Sequence, residues 1–540
     1  MPKHYDTTRT RSFVIGRWAA LGVAILFFVM DNFYPGMTFI HDNQTSPWGK
    51  KFLERQQISI PASLEHNFTL IQRRQGELNE REKAMGQRAW SYFEQNIDRT
   101  TGLVNTTDRY RVTDLWTTAS LIAALQSAFL LDLIDKNEFD RKIELLLSSL
   151  QSLPLLDIGV PNRFYSTDGL TMVNYLRKEG SVGYSPLDMG RLLSWLHVLR
   201  ENNSYLAHQL DRVALRWNYC SVVDQGQLYG GLYDSQKKLH INQQGRLGYE
   251  QYAAKGFKLW GFDTGTADRV DNARFIRVGS YEVPLDSRDF SRTVEKQFLT
   301  PDSFFLDGLE YGWRQFSLGY VAGDFYSDAF SLKTAQTLYL AQFGRFVETG
   351  MPTAKGEFQS DRSPYFVYDT VTANGYNWNT INEFGVSIPQ MALINSRAIM
   401  MMWALWDTPY TDFLFDLIDP HYSELNGYYE GLFESGPVLK TTSANTNAIV
   451  LQSLAYKRYG LNIPKKTVTG LWEFTLKSAL KNKANPQCLP LESVCEKNCG
   501  EIASFTTKGF ATKQLESVQS KIEKLQNERS LKLKAFEVVQ

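Results

Sequence analysis

Leu115-Trp-Thr-Thr-Ala-Ser-Leu-Ile-Ala-Ala-Leu-Gln-Ser-Ala-Phe129 is apolar or small on nearly every side, the pattern of a helix surrounded by protein rather than one facing water. The segment that follows differs. Between Asn137 and Leu150 the apolar residues Phe139, Ile143, Leu146, Leu147 and Leu150 fall on one face, which predicts an amphipathic helix, and the two segments together make a helical pair. The pattern recurs at Pro186–Arg200, 203–217, 328–348, 386–406, 409–418 and 443–458, each bounded by loops rich in Gly, Pro, Asn and Asp. Upstream, 62–96 reads as a polar helix running into Ala89-Trp-Ser-Tyr-Phe93 and stopping at the turn-like Asp98-Arg-Thr-Thr-Gly102. No fixed-period repeat of the kind a solenoid requires is present. The predicted fold is therefore all-α: a toroid of paired helices, an (α/α)-barrel whose long aromatic loops gather functional residues at one end.

The two ends of the chain read differently from this body. Lys3, Arg9, Arg11 and Arg17 precede Trp18-Ala-Ala-Leu-Gly-Val-Ala-Ile-Leu-Phe-Phe-Val-Met30, and Asp31 is the first charge after it. This predicts an uncleaved, positive-inside transmembrane signal anchor over 1–31, with the rest of the chain outside the cytoplasm. A stalk or linker helix is expected over 32–84, the helical toroid over 85–480, and a cysteine-containing tail with a charged C-terminal helix over 481–540. In that tail Cys488, Cys495 and Cys499 match no standard zinc spacing. A disulfide is the modest reading, and its pairing, including any with Cys220, is left open. The 7 histidines are too scattered for a metal motif, so neither metal nor cofactor is expected.

The balance of 58 basic against 58 acidic residues removes the general field that would draw the chain to nucleic acid. No nucleophile elbow, phosphate-binding loop or dinucleotide fingerprint is present. What the chain has instead is amphipathic ring, with 12 Trp and 27 Tyr. Such rings pack on the C–H faces of sugars while neighbouring acids, amides and arginines bind the hydroxyls. Glycosidic cleavage needs little more: one carboxylic acid to protonate the leaving oxygen and one carboxylate to attack or to activate water.

Four acids lie in suitable settings, with Glu250 and Glu430 expected as acid and base and Asp188 and Asp114 as helpers. Glu250, in Gly248-Tyr-Glu-Gln-Tyr252, is flanked by Tyr249 and Tyr252, rings that could desolvate it and raise its pKa; the alternative is a first-turn carboxylate. Glu430, in Tyr428-Tyr-Glu-Gly431, precedes the polar run Thr441-Thr-Ser-Ala-Asn-Thr-Asn447 in a loop-then-helix arrangement. Asp188 falls in the first turn of a helix, one turn before Arg191, where the helix start should depress its pKa and suit it to be a base or a sugar-hydroxyl acceptor and not an acid; it reads equally as half of an ion pair. Asp114, just before Trp116, reads first as an N-cap. Glu282, Asp307 and Glu310 are weaker candidates. Expected substrate-binding residues are Trp116, Arg191, Tyr249, Tyr252, Trp378, Tyr429 and Asn445.

Several of these pieces together resemble a bacterial family known as domain of unknown function 3131: Trp90-Ser-Tyr-Phe93 with Thr101-Gly-Leu-Val104, Thr113-Asp-Leu-Trp-Thr-Thr-Ala119, Gly183-Tyr-Ser-Pro-Leu-Asp-Met-Gly-Arg-Leu-Leu193, Gly248-Tyr-Glu-Gln-Tyr-Ala-Ala254, and Gly427-Tyr-Tyr-Glu-Gly-Leu-Phe433 with Thr441-Thr-Ser-Ala-Asn-Thr-Asn447. That family is similar in fold to glucoamylase-like (α/α)6 barrels, among them enzymes that cut or build β-1,2-glucans. The resemblance implies polysaccharide chemistry without assigning catalytic residues. Two expectations result. One is a glycoside hydrolase or transglycosylase acting on an envelope or exported glucan-like polysaccharide, held by a single-pass anchor at a bacterial inner membrane with its main domain in the periplasm. The other is a non-catalytic glycan-binding scaffold of a polysaccharide assembly or export apparatus, with an envelope protein partner that the anchor and the charged C-terminal arm would serve.

Overall fold

The computed structural model describes residues 73–288, 297–316, 325–461, 470–473 and 475. The predicted anchor, most of the stalk, and the cysteine-bearing and charged tail lie outside the described residues. No helix among the described residues is long and apolar enough to cross a membrane.

In chain order the helices are α1 (Glu80–Asn96), α2 (Leu115–Leu130), α3 (Lys136–Ser152), α4 (Pro186–Asn202), α5 (Ala207–Ala214), α6 (Tyr249–Leu259), α7 (Asp302–Leu306, continued as a π-turn over Asp307–Tyr311), α8 (Ala329–Thr349), α9 (Ser396–Leu405), α10 (Pro409–Ile418) and α11 (Ala444–Tyr459). Contacts run α2 to α4 to α6 to α7 to α9 to α11 and back to α2. This closes a ring of six inner helices, with α1, α3, α5, α8 and α10 packed outside it. The buried faces follow that split. In α11 every residue from Ala444 to Tyr456 is buried, whereas in α3 only the predicted stripe and Ser149 are. The sequence pair at Leu115 is therefore one inner and one outer helix of the ring.

Where α4 and α6 cross, glycine is required. A Cβ on Gly190 would lie 2.5 Å from the carbonyl oxygen of Ala253, and one on Gly256 would meet the backbone of Gly190. Backbone cannot give way as a side-chain tip can. Gly256→Ala should destabilise the fold by about 2–3 kcal/mol, measured by urea denaturation; a loss below about 0.5 kcal/mol would mean that the crossing relaxes.

The loops are more ordered than an all-α reading allows. They form short antiparallel sheets, and each inner helix is entered from a strand: Val112–Asp114, Gly183–Tyr184, Leu239–Gln243, Phe298–Leu299, Leu393–Asn395 and Val438–Thr442 precede α2, α4, α6, α7, α9 and α11. Strands in these sheets are two to seven residues long, too short for alternation to stand out in sequence. Other boundaries also shift. The predicted helix at 62–96 begins at Glu80, within the described residues, where Asn79 and Glu82 form a capping box. The segment expected as helix from 386 contains the strand Leu393–Asn395 and turns helical only at Ser396, where Asn395 caps the first turn.

Candidate active site

The first turns of the inner helices converge. Side chains of Asp114, Ser185, Asn395 and Ser443 cap α2, α4, α9 and α11. Gly248, at φ +94°, brings α6 against Ser303 and Phe304 of α7, and its N–H donates to Gln251. At this end of the ring the unpaired N–H groups and positive dipole ends of several helices meet, so carboxylates collect there.

Asp114 caps α2 and Asp188 lies in the first turn of the adjacent inner helix α4; the two are near enough for the charge of Asp114 to act on Asp188, and each is half-buried. Asp188 is pushed up to about 7, by burial first and then by the charge of Asp114, with Arg163, Ser185 and Arg191 pulling the other way. Burial also raises Asp114, but the N–H of Thr117 at 2.5 Å, the Thr117 hydroxyl and the N–H of Trp116 all favour its ionised form. Burial and the charge of Asp114 thus favour the protonated form of Asp188, while the donors at Asp114 favour its carboxylate. The lowered pKa expected of Asp188 from its place at the helix start is overturned by burial. The cap predicted for Asp114 and the first-turn position predicted for Asp188 are both present. The ion pair between Asp188 and Arg191 is not: Arg191 reaches Glu310 at 3.1 Å and Ser120 at 2.6 Å.

Beneath the pair lies a buried aromatic and polar layer. The Trp116 ring centroid is 5.7 Å from that of Tyr249 and 5.9 Å from that of Tyr252, and Arg191 stacks over Trp116 at 4.6 Å. Tyr252 donates to Glu310, and Ser120 donates to Asn445 at 2.8 Å. The structure thus brings Trp116, Arg191, Tyr249, Tyr252 and Asn445 together with Asp114.

Glu250 is on the same end but turned to another wall. It accepts from Gln227, from Gln243 at 2.8 Å and from Arg288 at 2.6 Å. Burial nevertheless raises it to about 7 against these partners. Tyr249 and Tyr252 face Trp116, so they are not the groups that hold Glu250. Glu430 sits in the strand Gly427–Phe433, not in a turn. Its carboxylate is almost wholly enclosed and takes hydrogen bonds from the Ser443 and Thr446 hydroxyls and the N–H of Gln359. Burial raises its pKa, with Arg397 and the two hydroxyls opposing. Tyr429, its neighbour, is half-buried. Trp378 lies over Arg345 at 5.2 Å, beside the Arg345–Glu434 ion pair, and no described contact joins it to Asp114 or Asp188. Glu282 is exposed on a strand, while Asp307 and Glu310 are buried in ion pairs with Lys255 and Arg191.

Sequence reasoning missed several groups that link these acids. Asp302 binds Arg397 at 2.8 Å and accepts the N–H of Glu357 at 3.0 Å, while Arg246 binds Glu357 and stacks on Tyr249 at 4.4 Å and Phe298 at 3.9 Å. Asp302 is raised to about 6 by burial, with Arg397 opposing and Glu357 adding to the rise. The signal for it was Pro301-Asp302, a helix-start pair ahead of an apolar run; Arg246 and Glu357 had none. Four buried polar atoms near the acids have no hydrogen-bond partner among the described residues: Arg163 Nε, Gln243 Oε1, Gln244 Oε1 and Gln359 Oε1. Enclosed groups of this kind are commonly satisfied by buried water. No cluster of metal-ligating residues occurs among the described residues.

A closed ring of inner helices with acids and rings at its N-terminal mouth defines an (α/α)6-type barrel. The chain belongs to the family described as Protein of unknown function (DUF3131), whose sequence model matches residues 84–460. Solved structures share the fold at low identity. An endo-β-1,2-glucanase from Chitinophaga pinensis, in complex with sophorotriose and glucose, matches with a TM-score of 0.50 and 10% identity, over 77% of this chain and 97% of that one. A glucoamylase-like protein from Bacteroides fragilis matches with a TM-score of 0.51 and 10% identity, over 72% of this chain and 94% of that one. Another from Bacteroides caccae gives 0.50 and 11%, over 71% and 94%. No curated protein matches.

Proposed function

We propose that the chain is a glycoside hydrolase or transglycosylase of a glucan-like polysaccharide, with Asp188 as proton donor and Asp114 as the ionised carboxylate. The observation that carries this reading is the Asp114–Asp188 pair. Both acids are half-buried, neither is locked in a salt bridge among the described residues, and their environments favour the protonated form of Asp188 and the carboxylate of Asp114, as acid and base roles require. Trp116 supplies a ring beside them. Glu250, raised to about 7 but tied to Arg288, is the second choice for the acid; Glu430, enclosed by three donors, serves as a positioning residue for α11. The fold shared with an endo-β-1,2-glucanase makes β-1,2-glucan the first substrate to try. In this reading the N-terminal segment holds the barrel at the inner membrane, on the periplasmic side.

The experiment is the incubation of the full-length chain with linear β-1,2-, β-1,3-, β-1,4- and α-1,4-glucans, reading reducing ends and product length. Release or chain rearrangement on any of them supports the reading. Binding without either, in a preparation that is folded by circular dichroism, would replace it with the glycan-binding scaffold.

A further inference from the structure

A group of four rings begins at Asp114 and lies on one side of the mouth. Where the strand Val112–Asp114 pairs with Phe164–Ser166, Asp114 stands directly opposite Phe164, and residues so paired project from the same face of a sheet. Tyr175, in the turn after the strand Met172–Val173, has its ring centroid 5.6 Å from each of Phe164, Tyr110 and Tyr365. Tyr110 precedes the strand that ends at Asp114, and Tyr365 lies in the turn joining the strands Glu357–Gln359 and Phe366–Asp369. The N–H of Asp361 ties that turn to Thr441 at 3.2 Å, on the strand that enters α11, the neighbour of α2 in the ring. The group therefore gathers over α2 and its neighbours. Phe164, Tyr175 and Tyr110 are half-buried, whereas Tyr365 is exposed at 37%, so the rings lead from the acid toward solvent.

The loops that carry these rings are fixed by their own hydrogen bonds. The Asn174 side chain accepts from the N–H of Leu176 at 2.9 Å and of Lys178 at 3.0 Å, and the N–H of Ser360 donates to the carbonyl of Tyr365 at 3.0 Å. Arg111 and Arg177 both reach Asp168, at 3.1 and 3.2 Å, which ties the Tyr175 turn to the segment that carries Tyr110. Rings held in this way lose little freedom when a ligand covers them. Burial first, then Tyr110, Asp114 and Tyr365, keep the Tyr175 hydroxyl protonated, so that hydroxyl lies within electrostatic reach of the acid and of both other tyrosines. A hydroxyl that donates and accepts at the edge of an apolar ring face is the combination by which a sugar is bound.

We infer that Phe164, Tyr175, Tyr110 and Tyr365 form a sugar-binding platform that runs outward from Asp114 and holds units of a glucan chain beyond those at the bond to be cut. This rests on the proposed function and adds to it a preference for long chains over short ones. A disaccharide placed across the acids leaves Tyr365 bare. A longer chain covers it, and each unit laid on a ring removes apolar surface from water. Tyr365, the most exposed of the four rings, is the one whose loss a long chain should feel and a short one should not.

Binding separates this from turnover. Full-length Asp188→Asn, which should hold substrate without cutting it, is titrated calorimetrically with the disaccharide and with a long linear chain of each of the β-1,2, β-1,3, β-1,4 and α-1,4 linkages, alone and combined with Tyr365→Ala or Tyr365→Phe. On whichever linkage binds, the long chain should bind at least about tenfold more tightly than the disaccharide, and Tyr365→Ala should weaken the long chain about 5–10-fold while leaving the disaccharide within about twofold. Tyr365→Phe keeps the ring face and should hold the long chain within about threefold of the parent. An equal loss for both lengths would mean a disturbed fold and not a lost contact, and would overturn the platform. Long-chain binding that is unchanged in Tyr365→Ala, and still unchanged when Tyr110→Ala is added, would overturn it too. Binding of no glucan, of either length and any of the four linkages, would instead overturn the functional reading on which the platform depends.

Discussion

Asp188→Asn should lower glucan cleavage by about 10³-fold in kcat while leaving substrate affinity within about threefold, because a lost proton donor costs the transition state and not the bound ground state. Two further readouts separate this role from a merely structural one. An aryl glucoside with a dinitrophenolate leaving group needs no protonation, so the same variant should lose less than about tenfold on it. The wild-type kcat/KM should fall as pH rises above about 7, the value to which burial and Asp114 push Asp188. Stability also depends on this proton. A carboxyl with an ordinary value of 3.8 that is raised to about 7 in the fold stays protonated between those pH values while the unfolded chain ionises. Folding is therefore favoured fully below about pH 4, loses ground as pH climbs through the window, and stays at the lower level above about 7. Asn does not ionise. Asp188→Asn should match the wild type at pH 4 and exceed it by roughly 1–2 kcal/mol at pH 8, less than the full linkage value because the group is partly open to solvent. A variant that is inactive on every substrate and also less stable at both pH values would sink the acid assignment.

Lys255→Met should produce the largest loss of stability, about 3–5 kcal/mol. Lys255 projects from α6 with no exposure and reaches Asp307 at 2.6 and 2.7 Å and Asp328 at 2.9 Å. Asp307 belongs to the π-turn that continues α7, and Asp328 caps α8 through Ser331, so one ammonium joins two inner helices to an outer one. Removing it leaves two buried carboxylates with no cation between them. Asp307, already raised to about 6 by burial against the pull of Lys255, would have to take up a proton to remain inside. The double variant Lys255→Met with Asp307→Asn should recover about half the loss. Urea denaturation at pH 7 measures both; a single-variant cost below about 1 kcal/mol would show that the triad contributes little beyond its volume.

The helices that sequence displays well are those with a clear environment. Leu115–Leu130 is apolar all round and Lys136–Ser152 has one apolar face, so their inner and outer positions are legible from residue pattern alone. Helix α7 is not: five residues followed by a π-turn containing Gly308 leave too little length for a period to register. Without that helix in view Asp302 stays hidden, and with it the Asp302–Arg397–Glu357–Arg246 network. The acids themselves stand out by their neighbours in sequence, which identify a first turn but not the direction in which a side chain points. Tyr249 and Tyr252 flank Glu250 along the chain, yet on a helix they look toward Trp116 while Glu250 looks toward Arg288. For the same reason Asp188 and Arg191, one turn apart, do not pair; Arg191 finds Glu310 across the barrel, 119 residues on. The loops read as irregular because strands of two to seven residues are too short for alternation to register, and those that lead into the inner helices at Asp114, Gly183, Phe298 and Leu393 pair with partners far along the chain.

The convergence of helix N-termini at the mouth sets a sign problem for the chemistry proposed there. Each inner helix brings about half a positive charge to its first turn, whereas glycosidic cleavage builds positive charge on the sugar ring. Left alone, the barrel would repel the very species it has to stabilise. Glu250, Asp302 and Glu357 are each matched by an arginine, so the counter-charge to the helix ends falls chiefly to Asp114, which has no ion-pair partner among the described residues. An arginine removed from one of those pairs would leave its carboxylate to act on the anomeric carbon through the net potential, without either partner touching the sugar.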